Sequence, residues 1–191
     1  MLNSLSGRFL ILTTVFVMLA EVLIFVPSVA RFRADYLNDR LERAQIASLA
    51  LLADDMIDPD LERELLANAG VYNVALQRNA ARELMLSSPV PGQVSHSFDL
   101  REAGPVTLIH DALRRLLDPE PRTIRVLGYP SREAGQLIEV TMDSAPLRNA
   151  MLEYGLRVFL LSAVISVIPA LLLFLAVRRL LVKPIKRVVG Q

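Results

Sequence analysis

Six carboxylates, Asp54, Asp55, Asp58, Asp60, Glu62 and Glu64, crowd one short stretch of the chain. Several carboxylate oxygens in one place would suit a hard divalent cation. Their spacing follows no calcium-binding loop, and acids at a helix-to-helix corner are equally well explained by solvation and the positive end of a helix; no metal site is expected. His110 lies beside Ile109 at the edge of an apolar stripe. An imidazole there either faces a ligand cavity, sensing ligand or pH, or is a satisfied boundary residue. His96, in a polar stretch rich in turn formers, offers less. The chain has no Gly-rich phosphate loop, no Gly-x-Ser-x-Gly elbow and no His-Glu-x-x-His, so no catalytic residue is expected. Absence of cysteine removes disulfides, thiolate metal sites and a cysteine nucleophile together.

One more carboxylate stands out by its surroundings. The chain is 53% hydrophobic with a mean hydropathy of +0.41, yet 21% of it is charged, which requires polarity to be segregated along the sequence. Phe9 to Val29 is apolar except for Thr13, Thr14, Glu21, Pro27 and Ser28, and Val158 to Val177 except for Ser162, Ser166 and Pro169. Each run is long enough to cross about 30 Å of hydrocarbon as a helix. An ionised carboxylate near mid-membrane costs at least ~2.5 kcal/mol, so Glu21 is expected to face inward and seek a hydrogen-bond partner. Counting along ideal helices puts it about 12 Å below the outer end of the first span, level with residues near Ile165 of the second. Ser162 and Ser166 are therefore the candidate partners, and their Ser-x-x-x-Ser spacing gives the small face that lets helices approach. A Glu21 pair across a dimer axis and a carboxyl snorkelling outward are the alternatives. Pro169 removes one backbone hydrogen bond, either as a bend point or as a static kink.

Orientation follows from charge. Arg178, Arg179, Lys183, Lys186 and Arg187 follow the second run with no acid among them, which places that end in the cytoplasm. The expected layout is a cytoplasmic N-terminus at 1–8, spans at 9–30 and 157–177, an extracytoplasmic domain at 31–156 and a cytoplasmic tail from 178. The rival for the first run is a cleaved signal peptide, given Ser28-Val29-Ala30; its apolar stretch is longer than an ordinary h-region and contains Glu21. A net charge of +1 gives no reason to expect a nucleic-acid partner.

Between the spans, Arg31 to Met56 has neither Pro nor Gly, and Leu37, Leu41, Ala44, Ser48 and Leu51 follow the spacing of a coiled-coil seam. Ile46, Leu49, Ala53 and Met56 form a second apolar line. Such a helix packs against its own domain and a second copy, or wholly within one domain; the seam at Leu37, Leu41 and Ala44 is the expected dimer contact. Asp58-Pro59 opens a short helix that Gly70 ends. Strands are expected at Val71 to Gln77, Glu83 to Ser87, Thr123 to Gly128 and Leu137 to Asp143. Gly104-Pro105 opens a helix with a stripe of Val106, Ile109, Leu113 and Leu117, and a last helix from about Pro146 runs into the second span. The fold class is α+β, a mainly antiparallel sheet between two membrane helices.

That element order resembles the PAS-like extracytoplasmic domains called PDC or Cache domains. Arg178-Arg179-Leu180-Leu181-Val182-Lys183-Pro184-Ile185-Lys186-Arg187-Val188 is by physics a juxtamembrane anchor for anionic lipid, and it also resembles the opening of a HAMP linker, with Pro184 at that family's most recognisable position. The layout as a whole is similar to the input half of a bacterial sensor histidine kinase of the inner membrane. The resemblance implies a homodimer that relays an unknown extracytoplasmic signal through Glu21, Ser162, Ser166, Pro169 and Pro184. The kinase core would lie beyond Gln191, using ATP and Mg²⁺ and serving a cognate response regulator, so no cofactor is expected in residues 1–191. His110-Asp111-Ala112-Leu113-Arg114 resembles the phosphoacceptor box of that family but lacks its proline and lies on the wrong side of the membrane. Chemoreceptors and diguanylate cyclases share the input layout, and a membrane-anchored assembly protein is the alternative outside signalling.

Overall fold

The computed structural model describes residues 5–53, 58–78, 81–130 and 136–177. Its elements are α1 (Leu5–Ala53), α2 (Pro59–Ala69), β1 (Asn73–Arg78), β2 (Ala81–Ser87), β3 (Val94–Asp99), α3 (Pro105–Leu117), β4 (Thr123–Gly128), β5 (Leu137–Asp143) and α4 (Ala145–Val177). They divide into two compact units, one holding α1 up to Phe25 and α4 from Tyr154, the other holding Val26–Glu153.

In the first unit the helices expose apolar side chains on nearly every face, among them Phe16, Leu19 and Leu23 of α1 and Phe159, Leu161 and Ile165 of α4. Both are long and apolar enough to cross a membrane, and a helix apolar all round belongs in a membrane or in the core of a large protein. Pro27 and Pro169 lie inside α1 and α4. Helix α1 continues through Ser28-Val29-Ala30, with Val29 and Ala30 buried.

The second unit is built on a five-stranded sheet in the order β2-β1-β5-β4-β3. Pairings β1/β2, β1/β5 and β4/β5 are antiparallel, while β3/β4 is parallel, α3 lying between these two in sequence. Register places Val74, Val140 and Val126 side by side at the sheet centre, all fully buried. Side chains alternate faces along a strand, so Leu76, Ile138 and Met142 share that face and are also buried. The same core takes Leu37, Leu41 and Ala44 of α1 and Leu147 and Met151 of α4. Gly128 of β4 has no Cβ because Leu41 occupies the space one would fill.

Local signals set the boundaries of α2. Asp58 caps it by accepting from the Asp60 N–H at 3.3 Å, Pro59 takes the first turn, where its missing N–H is not needed, and Gly70 ends it in the left-handed conformation at φ 69°.

Three expectations change. Strand β3 was not anticipated. It is an edge strand with polar residues at most positions, held by main-chain pairing to β4 rather than by alternating burial, and period-two hydrophobicity cannot detect such a strand. The Leu37 line of α1 faces its own sheet: Leu37, Leu41, Ala44 and Ser48 are all buried, while Ile46 and Leu49 are exposed. A heptad seam and a core-facing stripe have nearly the same spacing, and the sheet claimed this one. The α3 stripe also faces away from the core, with Val106 79% and Leu117 82% exposed, whereas Ala112 is buried. Its inward side carries Asp111, Ala112 and Arg115, a small and charged set.

Candidate functional site

The inward side of α3 explains itself once its neighbours are placed. Arg33 of α1, His96 and Phe98 of β3, Asp111 and Arg115 of α3, and Ile124 of β4 line one cavity of about 40 Å³, which Arg114, Asp118, Arg122, Ser144 and Leu147 complete. Arg33 is only 1% exposed. Its guanidinium carbon lies 4.4 Å from the centre of the Phe98 ring, a cation–π distance. The nearest acid oxygen is Asp111 Oδ2 at 3.8 Å from Nη1, an ion-pair distance too long for a hydrogen bond. Arg33 Nε and Nη1 are buried with no hydrogen-bond acceptor among the described residues. Burial lowers the Arg33 pKa from its ordinary value, Asp111 opposes that shift and Arg115 adds to it.

Arg115 repeats the pattern. Its Nη1 donates to the Glu120 carbonyl at 3.0 Å, but Nε and Nη2 are buried with no acceptor among the described residues. Burial is again the main cause lowering its pKa; Asp118 and Asp143 oppose the shift, and Arg148 and Arg122 add to it. Neighbouring arginines are committed elsewhere: Arg122 donates to Asp118 Oδ2 at 2.9 Å and Glu120 Oε2 at 2.8 Å, and Arg148 to the Leu116 carbonyl at 3.3 Å. The cavity therefore holds two guanidiniums with spare donors and a wall of Phe98, Ile124 and Leu147.

In the first unit, Ser166 Oγ donates to Glu21 Oε1 at 3.2 Å, both side chains half-buried. Of the two candidate serines, Ser166 is the one placed against Glu21. Ser162, one turn earlier, is half-buried, and Pro169 is exposed. Pro184 and the basic cluster from Arg178 to Arg187 lie outside the described residues.

His110 is 72% exposed, its Nδ1 3.6 Å from Asp111 Oδ1. It lines a shallow depression with Leu113, Arg114, Leu117 and Asp118, not the Arg33 cavity. His96, which the sequence ranked lower, does reach that cavity and stacks against Phe98 with the ring centres 6.3 Å apart. In the acidic run, Asp54 and Asp55 lie outside the described residues. Asp58 serves as a helix cap, Asp60 pairs with Arg63, and Glu62 Oε1 accepts from the Ser87 N–H at 2.8 Å.

The sequence reading passed over Arg33 and Arg115. A signal was available for Arg33: it precedes Leu37 by four residues and so falls on the inward stripe of α1, where a charge is costly without a partner. No protein-family model, curated protein or solved structure matched this chain.

Proposed function

We propose that residues 1–191 are the input and transmembrane relay of a sensor histidine kinase. In this reading the chain is a homodimer in a bacterial inner membrane, with its PAS-like α+β domain outside the cytoplasm, both termini inside and a HAMP linker opening at Pro184. The observation that carries it is the course of α4: one helix runs from Ala145 to Val177, with Leu147 and Met151 in the domain core at one end and the apolar candidate span at the other. In this reading a shift in the core passes along α4, whose helix is unbroken from Ala145 to Val177. Signalling needs two states of differing affinity for the signal, and the Glu21–Ser166 hydrogen bond offers a contact that two helix arrangements would hold differently. Such bonds average about 0.6 kcal/mol in membranes, enough to bias an equilibrium without locking it. The kinase core and the response regulator it phosphorylates belong to this proposal.

A chimera tests it: residues 1–177 joined to the HAMP and kinase core of another sensor, with ATP-dependent autophosphorylation measured in membrane vesicles. Inserting one to four alanines after Val177 rotates everything downstream by about 100° per residue. Output should rise and fall with that rotation, and a response that is flat or simply decays with length overturns the relay. A membrane-impermeant maleimide should label a cysteine at Gly92 in intact spheroplasts but not one at Gln191. The reverse pattern overturns the orientation.

A further inference from the structure

We infer that the cavity beneath Arg33 and Arg115 is a binding site for a short-chain carboxylate, whose two oxygens the guanidiniums take while its hydrocarbon lies against Phe98, Ile124 and Leu147. As the signal it rests on the sensor reading above; as a site it rests on geometry.

Arginine stays charged at any physiological pH and offers five N–H donors in a fixed fork. Burying such a group without acceptors costs several kcal/mol, yet Arg33, 1% exposed, leaves Nε and Nη1 unsatisfied, and Arg115 leaves Nε and Nη2. Four such nitrogens on two arginines lining the same cavity are complementary to a group with two acceptor oxygens and a negative charge. Asp111 is the internal competitor, but at 3.8 Å it makes no hydrogen bond to Arg33, and its other oxygen is 3.6 Å from His110. Asp118, the acid that acts most on Arg115, already accepts from the Glu120 N–H at 3.1 Å and from Arg122 Nε at 2.9 Å. Size and lining narrow the class. A cavity of about 40 Å³ has room for only a few water-sized groups, which excludes nucleotides and sugars. Phosphate and sulfate would also find donors here, because His96, Arg114 and Ser144 line the cavity too, but neither has a hydrocarbon part to set against Phe98, Ile124 and Leu147.

The test uses the whole chain in lipid nanodiscs, titrated with propionate and, for comparison, acetate, phosphate and sulfate. Binding is read by calorimetry and by amide exchange in β4 and β5, which slows by a factor of about 1 + [L]/Kd when a ligand binds only the folded state. Propionate should saturate below ~10 mM, within reach of a ligand of so few atoms. Arg33→Met should lose at least tenfold in affinity, and unaltered β4 and β5 exchange without propionate checks that the variant folds. Arg115→Gln, at a half-buried position, should lose a similar factor, and Asp111→Asn should tighten binding by removing the competing charge. Three results overturn the site: no saturable propionate binding, binding unchanged in both arginine variants, or phosphate and sulfate binding as tightly as propionate. Propionate binding with no change in the chimera's autophosphorylation keeps the site and removes its role as the kinase signal.

Discussion

Replacing Leu37 by alanine separates two meanings of the same heptad spacing. Leu37 is 0% exposed and sits under the sheet with Leu41 and Ala44. Truncation to alanine removes three carbons, about 2.4 kcal/mol at roughly 0.8 kcal/mol per buried carbon. The unfilled space raises the cost to about 2–5 kcal/mol, depending on how far the site collapses. Ile46, nine residues on and 62% exposed, should cost under about 0.5 kcal/mol as alanine. Amide exchange of Thr123–Gly128 and Leu137–Asp143, the strands at the centre of this unit, reports its opening directly, whereas total helicity would be dominated by the apolar helices. At 1.36 kcal/mol per factor of ten, Leu37→Ala should speed exchange of those amides roughly 30- to 5,000-fold and Ile46→Ala less than about threefold. Cysteines at Ile46 and Leu49 should crosslink copies in membranes, and one at Leu37 should not. If Leu37→Ala leaves exchange within threefold of the unsubstituted chain while a cysteine there crosslinks efficiently, the stripe faces a partner and the packing derived for it is wrong.

In the complete protein, Glu21→Gln should retain signalling because an amide still accepts from Ser166, whereas Glu21→Leu should bias or lock the output; wild-type dose response from Glu21→Leu would remove the coupling role. Replacing Pro184 should change basal kinase activity with β4 and β5 exchange unaltered, and loss of both together would show that the segment supports the fold. Gly70→Ala should destabilise by about 1 kcal/mol or more, read as faster exchange in α2, because φ 69° disfavours a side chain and Arg40 fills the space where its Cβ would go. Asp99, through hydrogen bonds from the Arg101 side chain, and Asp118, through the Glu120 backbone N–H, are held below the usual carboxylate range. The stability they add is present above about pH 4, the unfolded value, and is lost as pH falls through their lower folded values. A double Asp99→Asn, Asp118→Asn variant should show a shallower decline in stability on acidification, and an unchanged acid limb would assign that decline to other groups.

Sequence alone determined whatever depends on neighbours along the chain. Asp58, Pro59 and Gly70 bracket α2 because capping, a missing N–H and a left-handed φ are local matters. Alternation along Thr123–Gly128 and Leu137–Asp143 fixed β4 and β5 residue for residue, and counting depth along two apolar helices named Ser166 as one of two partners for Glu21. Tertiary structure decided what periodicity leaves degenerate. The Leu37 spacing suits a partner helix or a sheet equally, and only the sheet's presence, seen where Gly128 makes room for Leu41, settles it. The polar β3 strand exists because β4 offers a free edge. Arg33 and Arg115, 82 positions apart in sequence, carry no motif or spacing that relates one to the other. They come together only because α1 and α3 bring two guanidiniums to one cavity, where each keeps donors that no described residue accepts.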